Sequence, residues 1–408
     1  MPKHLIVVGG GAAGFFCAVN AARLNPLLKV SILEKSSKLL SKVKVSGGGR
    51  CNVTHHCFDI VEMSKRYPRG QHFVKKAFHQ FFTTDTIRWF EERGVKLKTE
   101  KDGRMFPFTD SSETIINCLL READRYKVEI KLNTEVKNIN YAGEKFHLEI
   151  AGSRQLTGDY LCVAAGGYPK SSMFEWIIRS GHTIEEPVPS LFTFNLPGHG
   201  ITKLMGVSVE NAIVKIVGSK LSEKGPLLIT HWGVSGPVVL RLSAWGAREL
   251  AGRHWQFAVI INWLPDCNEE TAREKFQQLR FDLAMQKIVN RNPFSLPQRL
   301  WEFLLEESGI NHEVRWADLP AKEQNRLIKN LCTFECTVKG KTTFKEEFVT
   351  AGGIRLNEID ANTMMSKKLP NLFFAGEVMD VDGITGGFNF QHAWTSGFIA
   401  GKSISLRS

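Results

Sequence analysis

Leu5-Ile-Val-Val-Gly-Gly-Gly-Ala-Ala-Gly14 is the stretch that decides the architecture of this chain. Four apolar residues run into Gly9-x-Gly11-x-x-Gly14, the pattern of a buried parallel strand turning into a helix. Gly9 permits the tight turn, and Gly11, followed by the small Ala12 and Ala13, lets backbone approach a pyrophosphate. Gly14 allows the next helix, expected over about Ala12 to Leu24, to lie close to the strand. That helix aims its positive N-terminal end at the phosphates. Lys29-Val-Ser-Ile-Leu-Glu34 then reads as a second strand ending in an acid, 20 residues beyond Gly14. A carboxylate there accepts from the hydroxyls of an adenosine ribose and repels a 2′-phosphate, which favours FAD or NAD over NADP. Strand, helix and acid in register give an α/β, Rossmann-like dinucleotide domain with a parallel sheet of βαβ units.

The far end of the chain decides between the two nucleotides. Leu372-Phe-Phe-Ala-Gly-Glu377 is an apolar strand ending where Gly376 permits close approach and Glu377 can bond a ribityl hydroxyl. NAD has no ribityl chain, so FAD is the expected cofactor. Asp382-Gly383 and Gly386-Gly387-Phe388-Asn389 follow, then a helix expected from about Phe390 to Ser403. Its start would set backbone N–H groups beside the flavin N1/C2=O edge, where negative charge gathers on reduction. Gly397-x-x-x-Gly401 suits close packing of that helix against the sheet. Tyr160-Leu-Cys-Val-Ala-Ala165-Gly166-Gly167 reads as a third sheet strand, re-entered after an antiparallel region spanning Val128 to Ile150. The chain has neither a second Gly-x-Gly-x-x-Gly nor a Cys-x4-Cys. NADH or NADPH, if used, therefore binds transiently at the flavin.

Bulk properties narrow the setting. The 408 residues suffice for two or three domains, and no apolar run approaches the roughly 20 residues of a membrane span. The N-terminus feeds at once into a strand, without a signal-peptide pattern, so the expected location is the cytoplasm. Eight scattered cysteines read as free thiols; Cys332-x-x-x-Cys336 lacks zinc spacing, and Asp380-x-Asp382-Gly383 lacks the rest of a calcium loop, so no metal is expected. A net charge of +11 favours anionic partners, and Lys65-Arg66-Tyr67-Pro68-Arg69 with Lys75-Lys76 interleaves cations with Phe73 and Phe78. A solvated basic face explains that segment as well.

Ser41-Lys42-Val-Lys-Val-Ser46-Gly47-Gly48-Gly49-Arg50-Cys51-Asn52-Val-Thr54 is more specific than the nucleotide turn. With Asp102-Gly-Arg104-Met-Phe106-Pro107, Thr230-His231-Trp-Gly233-Val-Ser235-Gly236-Pro237 and Gly376-Glu377-Val-Met-Asp380-Val-Asp382-Gly383, it resembles the BaiN/YhiN-like flavoproteins, also called aminoacetone-oxidase-like, along essentially the whole chain. Two positions depart: His55 stands where members often carry Asn, and Ala165 where Thr is usual. The resemblance implies an FAD domain made of residues 1–189 and 349–408. Between them it implies a β-barrel-like insert (190–265 and 334–348) and a helical insert (266–333). The sequence agrees: 190–263 is strand-like, 269–331 is amphipathic and charged, and Phe334–Phe348 looks β again.

Beyond the glycines and acids above, the expected cradle takes in Lys35, Lys42, Ser46, Asn52 and Val136. Gly47, Gly48 and Gly49 read as a ligand-facing loop, since three successive glycines are entropically costly. Arg50 and Lys42 could pair with phosphate or balance charge on reduced flavin; Cys51 reads as a buried structural thiol ahead of an acid or nucleophile, and His231 as a hydrogen-bonding loop residue ahead of a general acid. Three functions compete. One is an NAD(P)H-dependent reductase of a C=C or C=N bond, for which the resemblance implies substrates from small unsaturated molecules to a uridine of ribosomal RNA. The second is an amine oxidase of the aminoacetone kind that uses oxygen. The third is a non-catalytic RNA-binding protein stabilised by FAD. Substrate, donor and oligomeric state are not written in these residues.

Overall fold

A computed structural model describes residues 2–342 and 349–408. The described residues up to Pro189 and from 349 onward form one compact unit, and those from Ser190 to 342 form another.

The first unit is built on five parallel strands in the order Leu372–Phe374, Tyr160–Val163, His4–Val8, Lys29–Leu33 and Glu129–Lys131. The middle strand carries Leu5, Ile6 and Val7, all fully buried, as a parallel strand covered on both faces requires. Its neighbours are in register, with Val7 opposite both Cys162 and Ile32. Helix Ala12–Leu24 is buried continuously from Ala13 to Ala22, because the closing helix, Phe388–Ser405, lies against it.

That contact corrects one expectation. A Cβ on Gly397 would sit 2.6 Å from Ala13 O, and one on Gly401 would sit 2.5 Å from Cys17 O. The Gly-x-x-x-Gly face therefore packs on the opening helix rather than on the sheet; glycines four apart share one helix face and let two backbones approach. A second correction concerns Glu129–Lys131. It was expected to be antiparallel, yet it is the edge strand of the parallel sheet, paired with Ser31–Leu33. An edge strand is half exposed, so its alternation looks the same as that of a hairpin. The antiparallel meander is Val136–Ala142, Lys145–Ile150 and Arg154–Gly158. The closing helix also begins two residues earlier than expected, at Phe388.

The second unit carries an antiparallel ladder that runs Phe334–Lys339, Gln256–Asn262, Ser208–Ile216, Ser222–Ile229, Gly233–Ser235, Thr193–Asn195, Lys341–Thr342. The first and last of these are one stretch of chain broken at Gly340, so the ladder curls round on itself. Helices Glu269–Asp282, Gln298–Glu307 and Ala321–Cys332 bring Phe276, Trp301 and Leu327, and the connection before the last of them brings Trp316, into the same apolar cluster as Val214, Val259 and Trp263 of the strand region. The expected β stretch Phe334–Phe348 continues beyond 342, where 343–348 lie outside the described residues. All eight cysteines are unpaired, and only Cys57 is not buried. No described helix is long and apolar enough to cross a membrane, and no cluster of described His, Cys, Asp and Glu could hold a metal.

Candidate functional site

The opening turn is shaped by its own backbone. Gly9 adopts φ +117°, and a Cβ there would lie 2.3 Å from Ala164 O; one on Gly14 would lie 2.0 Å from Gly9 O. Around Gly11 a Cβ would meet nothing within 4 Å, so this glycine faces open space where a phosphate group would pass. Glu34 is held in place before any ribose arrives. Its Oε2 accepts from Gly10 N at 2.9 Å, and its Oε1 accepts from the Ser36 N–H and hydroxyl, each at 2.9 Å. Beside it opens a cavity of about 350 Å³ that brings together Gly9, Glu34, Lys35, Val136, Ala165 and Tyr168 from four separate parts of the sequence. That is room for the adenosine half of a dinucleotide.

The closing strand carries the other half of the expected cradle. Gly376 has φ +75°, and its N–H donates to Ser396 Oγ at 2.9 Å. Glu377 is gripped twice: Lys42 Nζ lies 2.5 Å from Oε2, and Thr350 N donates to Oε1 at 2.9 Å. A Cβ on Gly167 would crowd Thr350 Oγ1 at 2.6 Å and Glu377 Oε1 at 2.9 Å. Among the described residues the buried Thr350 hydroxyl has no hydrogen-bond partner. A buried orphan hydroxyl calls for a polar ligand. A polyol chain passing Gly167 and Glu377 would satisfy it, so these residues fit FAD. Behind the turn, the buried His392 donates from Nε2 to Gly376 O at 3.3 Å, and burial pushes its pKa down to about 4. Sequence reasoning missed this histidine, which sits mid-pattern on an apolar helix.

Between the two halves runs the segment 41–55. Its helix starts at Ser41 and breaks at Ser46, whose carbonyl accepts from Arg50 N and Cys51 N. Gly47, Gly48 and Gly49 follow with φ of +59°, +70° and +83°, and a Cβ on Gly48 or Gly49 would meet nothing. Arg50 turns back to the protein. It lies 2.6 Å from Glu100, 3.4 Å from Asp110, and its guanidinium stacks 4.0 Å above the Phe106 ring. Cys51 is wholly buried, and burial pushes its thiol up to about 12, so it carries no thiolate at neutral pH.

The 52–55 stretch ties the segment to the closing turn. With its amide oriented to satisfy both ends, Asn52 accepts from Gly387 N at 2.9 Å and donates to Thr54 O at 3.1 Å. Thr54 Oγ1 donates to Gln391 at 2.6 Å, and Trp394 Nε1 to Val53 O at 2.9 Å. Asn389 bonds both backbone groups of Gly383, at 2.8 and 2.9 Å. Asp382, fully buried, forms a two-pronged ion pair with Arg69. Arg69 had read as one cation of a basic face. Tyr67, Phe73 and Phe78 of that segment are buried as well, so its aromatics are core rather than a stacking platform; Lys65, Arg66, Lys75 and Lys76 remain exposed. His231 and Trp232 are exposed together at a turn of the second unit, their rings 4.5 Å apart.

The family description "HI0933-like protein Rossmann domain" matches residues 3–403. This chain belongs to that family. It is the family that the Gly-Arg-Cys-Asn and Gly-Glu motifs announced, and its members are FAD-dependent oxidoreductases, so the protein is an FAD enzyme. The chain is 30% identical over 416 residues to the ribosomal RNA dihydrouridine synthase of Haemophilus influenzae, with 98% of each covered. It is 31% identical over 410 residues to that of Escherichia coli, covering 98% of this chain and 97% of the other. The 3-dehydro-bile acid delta(4,6)-reductase of Clostridium scindens is 27% identical over 410 residues, with 98% of each covered. Among solved structures, the 3-ketosteroid-delta4-(5alpha)-dehydrogenase of Rhodococcus jostii shares the fold, with TM-score 0.52, 11% identity, and 99% and 97% of the two chains covered.

Proposed function

We propose that this flavoenzyme is a reductase that draws hydride from NADH or NADPH and delivers it to a C=C bond conjugated to a carbonyl, with a uridine of ribosomal RNA as the substrate. The observation that carries the reading is end-to-end similarity, at 30% and 31% identity, to two relatives named ribosomal RNA dihydrouridine synthase. The third relative's name also describes reduction of an unsaturated carbonyl compound. Uridine offers such a bond, because its C5=C6 is polarised by the C4 carbonyl. Reduction adds hydride at C6 and a proton at C5. FAD, when bound, supplies the ring that accepts and passes on the hydride.

The chain's own residues do the rest. Glu34, pre-set by Gly10 and Ser36, binds the adenosine ribose, and Glu377, pre-set by Lys42 and Thr350, binds the ribityl chain. The start of helix Phe388–Ser405 presents N–H groups where charge develops. The +11 net charge draws a polyanion toward the enzyme. The test is mass spectrometry of ribosomal RNA nucleosides from a deletion strain and from the same strain carrying the gene. Loss of one dihydrouridine on deletion and its return on complementation are expected. Unchanged dihydrouridine, with turnover of an unsaturated ketosteroid by the purified protein, would instead favour a small-molecule enone reductase.

A further inference from the structure

Gly386 and Gly387 have φ of +137° and +93°, and no side chain of their own fixes them. A Gly-Gly peptide is the freest unit a chain can contain. This one nevertheless occupies the position just ahead of helix Phe388–Ser405. Two side chains hold it. His55 Nδ1 donates to Gly386 O at 3.0 Å, and Asn52 Oδ1 accepts from Gly387 N at 2.9 Å. That carbonyl and that N–H belong to one planar peptide group and point in opposite directions. The plane is therefore pinned at both edges and cannot rotate without breaking a bond. Bulk is excluded as well: a Cβ on Gly387 would lie 2.5 Å from Thr54 O.

His55 has a further hold on the same place. Its ring stacks on Phe388, the first helical residue, with centroids 4.7 Å apart and planes 28° from parallel. Gly103 makes the space for it, since a Cβ there would come within 2.6 Å of Nε2. Burial lowers the His55 pKa against the pull of the Gly386 carbonyl; Arg66 and His56 lower it further and Asp102 opposes them, which favours the neutral ring with its proton on Nδ1.

We infer that His55 is a positioning residue for the flavin: with Asn52 it clamps the Gly386–Gly387 peptide and so aims the helix N-terminus at the ring that takes up charge. This rests on the reading that the helix start faces the flavin. A correctly aimed N-terminus favours the reduced, more negative flavin, so a slack clamp costs both affinity and reduction potential.

Two variants separate the parts of the clamp. His55→Phe keeps a ring to stack and loses the donor; His55→Asn keeps a donor and loses the stack. FAD-depleted full-length protein is titrated with FAD, the bound flavin is then titrated redox-wise, and thermal unfolding of the depleted proteins is recorded alongside. His55→Phe is expected to bind FAD about tenfold more weakly and to favour the reduced form tenfold less, about 30 mV more negative for a two-electron couple. His55→Asn falls between it and wild type. If His55→Phe matches wild type in affinity and potential, the inference is overturned. It is overturned equally if both variants lose thermal stability while the potential stays put, because that is a packing role alone. No substrate enters these measurements. A wild-type enzyme that leaves uridine untouched would remove the reductase reading and leave the comparison of potentials standing.

Discussion

Gly9 and Gly14 of the opening turn and Gly48 and Gly49 of the 47–49 loop are glycine for opposite reasons, with Gly11 siding with the loop. At Gly9 and Gly14 a side chain would collide with the protein's own backbone, at 2.3 and 2.0 Å. At Gly48 and Gly49 it would collide with nothing; there the left-handed backbone demands glycine and the space beyond lies open. One set of glycines serves internal packing, whereas the other keeps a curved backbone bare toward solvent. A glycine-rich motif can therefore mark a fold or mark a surface meant for a ligand, and only the surroundings tell which.

The sharpest way to break this comparison is Gly14→Ala. With backbone oxygen 2.0 Å away and no room to shift, a loss of at least about 3 kcal/mol in urea unfolding is expected, or no folded protein at all. Acid probes the closing side. His392 behind the Gly376 turn and the buried His182, bonded to Ser180 and Ser366, are both lowered from 6.5 to about 4 by burial. Being neutral when folded and protonated more readily when unfolded, they contribute stability in full above about pH 6.5, and it is lost as pH falls toward 4. Roughly 3 kcal/mol each is at stake, visible as a falling Tm over that window. Glu34→Gln, by contrast, is expected to cost only about 1 kcal/mol of stability, since its NH2 must face one of the N–H donors on Glu34, while weakening FAD binding about tenfold or more, measured by fluorescence titration, because a charged acceptor of ribose hydroxyls is lost. Gly48→Ala is expected to have an equally small effect on stability, about 1 kcal/mol of left-handed strain. If the loop does face a ligand, FAD affinity or substrate KM shifts more than stability does. Equal shifts at Gly14 and Gly48 would erase the distinction.

Much of the parallel sheet could be read directly. Helix Ala12–Leu24 falls where the spacing of small and apolar residues put it, and Leu372–Phe374 joins the sheet as its Gly-Glu ending implied. These features are local, and their chemistry is written in consecutive residues. What escaped was long-range. Nothing near Arg69 in sequence reveals that its partner, Asp382, lies 313 residues on, so a buried ion pair passed for surface charge. His55 looked like a mere departure from a motif, because the carbonyl it holds arrives 331 residues later. Edge strand Glu129–Lys131 was misassigned because alternation reports half-burial and not strand direction.

The ion pair, the peptide clamp and the closing helix all join residues made early in synthesis to residues made more than 300 positions afterward. On the ribosome, then, the nucleotide turn waits as half a socket while the entire second unit is translated. Flavin loading is then expected only on the finished polypeptide: a product interrupted before Phe388 lacks the helix that covers Ala12–Leu24, and is expected to be colourless.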